Sequence, residues 1–324
     1  MSSGLLSGWR FKALLLSIVA AAAGYLAMSL LSGWPALVRA ASAVGLQGIV
    51  VLLGMSMINY LLRSVRWTMY LHRLGHPIGW ARQLRIYFAG FALTTTPGKA
   101  GEAVRSIFLA RLGVPYAASL AAMFSERFSD LLAVLLLCIP GLDRYPRLHP
   151  MVVLIGVVAG LMLLLLSNGR WMDFCADLLG SRTGRMANFA RQVLGLLQQA
   201  CSCHAGWVVV PALLLGLVAW GSEAMGFAWL LHWLGVNVSL RYAVFVYAAS
   251  MLVGAVSVMP GGLGGAEAAM VALLVFGGAP ADSAVAATIL IRLSTLWFAV
   301  ALGMSALTGL QGGGEASPAA ESRN

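Results

Sequence analysis

Residues 94–102 read Thr-Thr-Thr-Pro-Gly-Lys-Ala-Gly-Glu and break a long apolar segment, residues 86–112, near its middle. A second apolar segment, residues 243–277, is broken in the same way at residues 260–267, Pro-Gly-Gly-Leu-Gly-Gly-Ala-Glu. Proline ends a helix, and glycine permits a tight reversal of the chain. Each half is about a dozen residues long, whereas a bilayer crossing needs about 20. The two breaks therefore predict two re-entrant helical hairpins.

Composition places the remaining chain in a membrane. Of the 324 residues, 60% are hydrophobic and 10% are charged, whereas soluble domains average about 25% charged residues. Apolar runs long enough to cross a bilayer lie at 11–31, 43–62, 117–139, 150–167, 206–234 and 281–308. The sequence thus predicts an all-α polytopic membrane protein with about six full spans plus the two hairpins, or eight if the hairpins are counted as spans.

The net charge of +10 would suggest nucleic acid in a soluble protein, but the positive-inside rule explains it better, so no nucleic-acid partner is expected. With the N-terminus in the cytoplasm, most arginines fall on the cytoplasmic side, among them Arg63, Arg66, Arg73, Arg82, Arg85, Arg105 and Arg111. This bias predicts a multi-pass protein with both termini inside. Apolar residues at helical spacing predict a cytoplasmic interfacial helix at 182–204. Residues 1–310 form one integral membrane domain in this interpretation, and 311–324 form a disordered tail.

The chain repeats itself. Leu-His-Arg-Leu-Gly at 71–75 matches Leu-His-Trp-Leu-Gly at 231–235, and ordered matches continue through the two breaks to later Glu and Arg residues. The matched pairs include Pro97 with Pro260, Gly98 with Gly261, Glu102 with Glu267, and Arg127 with Arg292. Repeat A covers about 43–139 and repeat B about 206–308. Three predicted crossings separate corresponding points, so the second copy is expected to be inverted, an arrangement that recurs in secondary transporters.

Eight ionisable residues fall at predicted membrane depth, where each charge costs roughly 2.5–3.5 kcal/mol unless it is paired or hydrated. We expect six to bind substrate: Lys99, Glu102, Arg127, Asp130, Glu267 and Arg292; the others are Glu126 and Glu223. The hairpin breaks are assigned to Pro97, Gly98, Pro260 and Gly261. Lys99 and the free N–H groups of the following half-helix suit a phosphate. The alternative is structural pairing of Arg127 with Asp130 and of Arg292 with Glu267.

Motifs for energy coupling and catalysis are missing from the sequence. Gly98-Lys99 is followed by Ala100, and Leu93 stands where a phosphate-binding loop needs its first glycine. No Ser-His-Asp set and no Cys/His metal cluster is present in the sequence. We therefore expect no enzyme activity, no cofactor and no metal.

Several of these stretches together resemble a known family. They are Arg-Ser-Val-Arg-Trp at 63–67, Pro-Gly-Lys-Ala-Gly-Glu-Ala-Val-Arg at 97–105, Glu-Arg-Phe-Ser-Asp at 126–130, the 260–267 break and Arg292. The chain resembles the lysylphosphatidylglycerol synthase transmembrane (flippase-like) family over about residues 11–308. The resemblance implies a bacterial inner-membrane protein associated with lipid translocation. The chain stops at Asn324, so we expect a stand-alone member without the aminoacyl-transferase domain.

The resulting hypothesis is a lipid translocase that moves a phospholipid, a hopanoid or a polyprenyl-linked lipid across the inner membrane. Its partner would be a membrane lipid with an anionic headgroup, and a separate enzyme would synthesise that lipid. The first alternative is a membrane-embedded transferase that uses Glu126 and Asp130 for acid-base chemistry. The second is an accessory protein of a lipid-modifying complex.

Overall fold

A computed structural model describes residues 34–95, 100–144, 149–167, 174, 177, 184–257 and 260–312. This part of the chain consists of helices joined by short turns and contains no strand, which confirms the all-α prediction. Three helical segments are long and apolar enough to cross a membrane: Leu37–Arg73, Gly206–Trp233 and Ala281–Leu310. The chain is therefore a helical, multi-pass membrane protein.

The described helices are labelled here in chain order. The first half contains α1 (Trp34–Arg73), α2 (Trp80–Ala89, continued by a 3-10 turn at Gly90–Leu93), α3 (Ala100–Ala110), α4 (Tyr116–Cys138) and α5 (His149–Ser167). The second half contains α6 (Arg185–His204), α7 (Val209–Trp233), α8 (Leu240–Val256), α9 (Gly265–Phe276), α10 (Ala281–Arg292) and α11 (Phe298–Gly312). A π-helical segment, Leu293–Trp297, joins α10 to α11.

The helix α1 is longer than the predicted span at 43–62. It has 40 residues and is kinked at Gly45, whose φ of 65° is accessible to glycine. The apolar run ends at Arg63 in the sequence, but the helix continues to Arg73, and Arg63 and Arg66 are buried inside the protein. Of the other predicted spans, 117–139 corresponds to α4, and 11–31 lies outside the described residues.

The same order of elements occurs twice. In the first segment α1 is followed by Gly75, α2, a break, α3, Gly113 and α4. In the second, α7 is followed by Gly235, α8, a break, α9, Gly278 and α10. The four turn glycines have φ values of 83°, 81°, 68° and 93°, a region that other residues rarely adopt. The inversion of one copy relative to the other stays a prediction.

Packing between the two segments is reciprocal. The helices α1 and α7 lie against each other, α2 packs against α11, which follows α10 through the π-helical segment, and α8 packs against α4 of the first segment. The helix α2 is thus covered by the continuation of the second segment, and α8 is covered by the last helix of the first. Charged side chains of α1 and α4 meet inside this arrangement, beside α7.

Two smaller predictions concern the connection and the tail. A helix, α6, is present at Arg185–His204 within the predicted interfacial segment, and it packs against α4. Its location at the cytoplasmic surface stays a prediction. Gln311 and Gly312 belong to α11, whereas the rest of the predicted tail lies outside the described residues.

Candidate anion-binding site

Two arginines of α1 meet two carboxylates of α4. Arg63 and Arg66 are three residues apart and so share one face of α1, and Glu126 and Asp130 are one turn apart on α4. All four side chains are buried. The Nη2 atom of Arg63 lies 3.1 Å from Glu126 Oε1 and 3.0 Å from Asp130 Oδ2. Arg63 therefore bridges both carboxylates.

Asp130 has further donors. The Nη2 atom of Arg66 pairs with Asp130 Oδ1, and the indole Nε1 of Trp220, on α7, donates to the same oxygen at 3.0 Å. The close approach of α7 depends on Gly216, because a Cβ atom there would lie 2.8 Å from Arg66 Nη1. The three helices α1, α4 and α7 thus converge on Asp130.

Arg105, from α3 of the first hairpin, is the third buried arginine. Its Nη1 donates to Glu126 Oε2 at 2.9 Å, and its guanidinium carbon lies 4.0 Å from the centre of the Tyr87 ring. The Tyr87 hydroxyl donates to the other oxygen of Glu126. A Cβ at Gly90 would lie 2.3 Å from Arg105 Nε, so only glycine leaves room for this side chain. Arg105 therefore links α3 to α4 and to Tyr87 of α2.

Arg127 completes the set that we call the arginine cluster: Arg63, Arg66, Arg105 and Arg127 with Glu126 and Asp130. Its Nη1 lies 3.4 Å from Asp130 Oδ2, and its Nη2 lies 3.7 Å from Glu126 Oε1. Its side chain is 39% exposed, whereas the other five are buried. Arg127 therefore marks the side on which the cluster is open.

The arginine cluster carries more positive than negative charge. Four guanidinium groups face two carboxylates, so the charge of this set is +2. The Nε atoms of Arg63, Arg66 and Arg105 and the Nη1 atom of Arg66 are buried and have no hydrogen-bond partner within the described residues. Buried N–H groups without acceptors are unfavourable by about 1–3 kcal/mol each. An anion bound here would supply both charge and acceptors.

A second ion pair lies at the second break. The Nε atom of Arg292 lies 2.6 Å from Glu267 Oε1, and the other oxygen of Glu267 accepts from the backbone nitrogen of Gly264 at 2.7 Å. Glu267 is at the third position of α9, where a carboxylate that turns back to the chain before the helix completes a capping arrangement. This pair holds the start of α9 in place.

The two breaks contact each other. Gly261 lies in the turn between α8 and α9 and has φ 63°. A Cβ atom there would lie 3.4 Å from the carbonyl oxygen of Thr94 and 3.6 Å from Thr95 Cα, at the end of the first half-helix. The second turn thus lies against the end of the α2 hairpin arm.

The predicted site residues fall into three groups. Arg127 and Asp130 lie together in the arginine cluster, while Glu267 and Arg292 lie together at the second break, where Pro260 and Gly261 form the turn. Glu102 belongs to α3, but its side chain lies outside the described residues, as do Pro97, Gly98 and Lys99 entirely. Substrate binding by these residues stays a prediction. The pairing of Arg127 with Asp130 and of Arg292 with Glu267, the structural alternative, is present.

Three arginines of the cluster were missed as site residues. The sequence interpretation placed Arg63, Arg66 and Arg105 on the cytoplasmic side and did not identify them as site residues, whereas all three are buried and paired. One signal could have found two of them. Arg63 and Arg66 share a helix face, and another apolar helix carries two carboxylates, Glu126 and Asp130, that need such partners.

Comparison with known proteins now assigns the family. Residues 13–303 match the protein family described as Lysylphosphatidylglycerol synthase TM region. The chain is also 23% identical over 274 residues to the UPF0104 membrane protein PH1989 of Pyrococcus horikoshii, in an alignment that covers 76% of this chain and 82% of that protein. The matched range includes the whole arginine cluster and the second ion pair. The chain belongs to the family of the lysylphosphatidylglycerol synthase TM region.

Proposed function

We propose that the protein translocates a lipid with an anionic headgroup across the membrane. The observation that carries this proposal is the buried charge of the arginine cluster, four guanidinium groups against two carboxylates. Unpaired charge inside a bilayer costs roughly 2.5–3.5 kcal/mol per residue or more. A phosphate that enters the cluster removes this cost, because it brings the opposite charge.

Phosphate also matches the geometry of the donors. Guanidinium groups bind phosphate oxygens through two parallel N–H groups, which a lysine ammonium does not offer. Several donors of Arg63, Arg66 and Arg105 are buried without a partner in the described part of the chain. The exposed side of Arg127 provides the place at which a headgroup would enter. The acyl chains of the lipid would remain in the bilayer throughout.

Alternating access would use the two hairpins. In the inverted arrangement that we propose, the first hairpin enters from the cytoplasm and the second from outside, as in transporters built from inverted repeats. The contact of Gly261 with Thr94 and Thr95 supports a meeting of the two breaks inside the protein. The protein would open toward one leaflet while the other side stays closed, and then toward the other leaflet. The arginine cluster would thus be exposed to each leaflet in turn. We place the protein in a bacterial inner membrane with both termini inside.

A leaflet-resolved assay tests the proposal. Purified protein is reconstituted into liposomes that contain a fluorescent phosphatidylglycerol, and dithionite reduces only the label in the outer leaflet. We expect the protein to bring inner-leaflet label to dithionite, and we expect Arg127→Gln to slow this by about 10- to 150-fold, because a charge-assisted hydrogen bond contributes about 1.5–3 kcal/mol. Arg85→Gln, an exposed arginine of α2, is the matched control.

Two outcomes would contradict the proposal. If the fraction of label protected from dithionite is the same with wild-type protein as in protein-free liposomes, the protein does not translocate this class of lipid. Equal rates in wild type, Arg127→Gln and Arg85→Gln would remove the arginine cluster from the transport pathway. Phosphatidylcholine with the same label measures the headgroup preference, which we expect to favour the anionic lipid.

A further inference from the structure

Glu223 differs from the other buried carboxylates. Glu126, Asp130 and Glu267 each form an ion pair with at least one arginine. Glu223, in the middle of α7, is only 4% exposed and forms no ion pair with any residue that the structure describes. Its Oε2 atom accepts a hydrogen bond from the Tyr247 hydroxyl of α8 at 2.5 Å. A titratable group is therefore buried without a fixed counter-ion.

Glu223 lies between the two charge groups. Arg63 from α1, Arg292 from α10 and Asp130 from α4 all interact electrostatically with its carboxyl, and Tyr247 faces it from α8. The Tyr60 hydroxyl group of α1 interacts with Glu223 as well as with Arg63 and Arg292. These groups come from each of the helices packed against α7 at this level. Glu223 thus interacts electrostatically with both the arginine cluster and the second ion pair, and among the described residues it forms an ion pair with neither.

The electrostatic effect of a proton at Glu223 follows from this position. As a carboxylate, Glu223 attracts Arg63 and Arg292 and lowers the positive potential that an incoming phosphate would meet. As a neutral carboxyl, it removes one negative charge from between the two groups. The Tyr247 hydroxyl can remain hydrogen-bonded in both forms, because a protonated carboxyl still has an accepting oxygen. The bound proton therefore strengthens anion binding.

We propose that Glu223 is a proton-binding site and that a proton at Glu223 and an anionic headgroup at the arginine cluster favour each other's binding. This inference rests on the proposed function. By reciprocity, the headgroup raises the affinity of Glu223 for a proton by the same factor. The carboxylate takes one proton from water on the side to which the site is open and returns it to water on the other side. One proton and one monoanionic lipid then cross together without net charge, so a pH difference drives the lipid toward the alkaline side.

An infrared measurement tests proton binding without any transport assay. Purified protein in lipid nanodiscs is titrated between about pH 5 and about pH 8, and the carbonyl stretch of protonated carboxyl groups is recorded. We expect a band that appears as the pH falls and that is missing in Glu223→Gln. Asp282→Asn, which removes an exposed carboxylate of α10, is the control and should retain the band. A band that persists in Glu223→Gln, or no titrating band in wild type, would overturn the inference.

A binding measurement tests the linkage. We expect wild-type protein to bind short-chain phosphatidylglycerol about 5- to 150-fold more tightly at the acidic end of this range. Glu223→Gln should bind it tightly at both ends, because its amide is neutral at every pH. Equal pH dependence in wild type and Glu223→Gln would contradict the linkage.

Transport separates this inference from the proposed function. In liposomes with an imposed pH difference, we expect wild type to accumulate labelled phosphatidylglycerol in the alkaline-side leaflet, and we expect Glu223→Gln to equilibrate the leaflets without accumulation. No wild-type translocation under any gradient would contradict the proposed function, while the infrared band would still report on Glu223. If wild-type protein translocates the lipid equally with and without the pH difference, the coupling to a proton at Glu223 is contradicted and the proposed function is not.

Discussion

Arg292 Nη2 donates a hydrogen bond to the carbonyl oxygen of Gly261 at 3.0 Å, so the last residue of α10 holds the turn that separates α8 from α9. The same guanidinium pairs with Glu267, which in turn accepts from the nitrogen of Gly264. Side chains from two helices thus close around the second break. The ion pair of Arg292 with Glu267 therefore also holds the turn between α8 and α9.

The pair of Glu267 and Arg292 is expected to contribute strongly to stability. Removing one partner of a buried ion pair costs about 3–5 kcal/mol, because the other charge remains buried and unpaired. We therefore expect Glu267→Gln and Arg292→Gln each to lower the free energy of unfolding in detergent. The double variant should lose less than the sum of the two, with a coupling energy of about 0.5–3 kcal/mol. Additive losses in such a double-mutant cycle would show that the two groups do not interact.

Gly303 is expected to be required where α11 passes the first hairpin. A Cβ atom there would lie 2.2 Å from the backbone nitrogen of Ala92, and backbone cannot move aside as the end of a side chain can. Gly303→Ala should destabilise the protein by about 1–3 kcal/mol, the usual cost of overpacking. Gly309→Ala, on the same helix with no atom within 4 Å of an added Cβ, is the control. Thermal unfolding midpoints that are the same for both variants would refute the contact.

The meeting of the two breaks can be tested by cross-linking. An added Cβ at Gly261 would lie 3.6 Å from Thr95 Cα, so cysteines at these two positions would lie close to one another, and disulfides form where Cβ atoms are about 3.5–4.5 Å apart. With the four native cysteines replaced, Thr95→Cys combined with Gly261→Cys should form an intramolecular disulfide under mild oxidation. Each single variant serves as a control. Lipid movement should stop on oxidation and return on reduction, whereas an absence of cross-linking would argue against the contact.

Asp130→Asn is expected to make the protein depend on anionic lipid. Asp130 accepts hydrogen bonds from Arg63 and Arg66. The change removes the negative charge that balances these buried guanidinium groups, so the net charge of the cluster rises by one. The variant should unfold at a lower temperature in neutral detergent. Added phosphatidylglycerol should restore more stability in Asp130→Asn than in wild type, because a ligand stabilises the state that it binds. If phosphatidylglycerol stabilises the two proteins equally, Asp130 has no influence on anion binding.

The sequence was informative where local chemistry decides the structure. The turn at Pro260 follows from proline and glycine alone, and the positions of Gly113 and Gly278 follow from the matched turns of the repeat. Arg292 and Glu267 stood out because a charge in an apolar segment must have a partner close by. These inferences need only neighbours along the chain or one helix turn.

The cluster partners could not be found in this way. Arg63 and Glu126 are 63 positions apart, and they meet because α1 packs against α4. An arginine at the end of an apolar run usually flanks the membrane, so the sequence interpretation used Arg63 and Arg66 only to place that end of the helix on the cytoplasmic side. Only the packing of α4 and α7 against α1 shows that these side chains are buried. Tyr87 and Trp220, which donate to the carboxylates, became recognisable for the same reason.

The central claim is that the arginine cluster binds an anionic headgroup, and a direct comparison of two lipids tests it. Short-chain phosphatidylglycerol and phosphatidylcholine with identical acyl chains are titrated into purified protein in the same detergent. We expect wild type and Arg85→Gln to bind phosphatidylglycerol more tightly, and we expect Arg127→Gln to lose this preference. Equal affinity of wild-type protein for the two lipids would contradict the account.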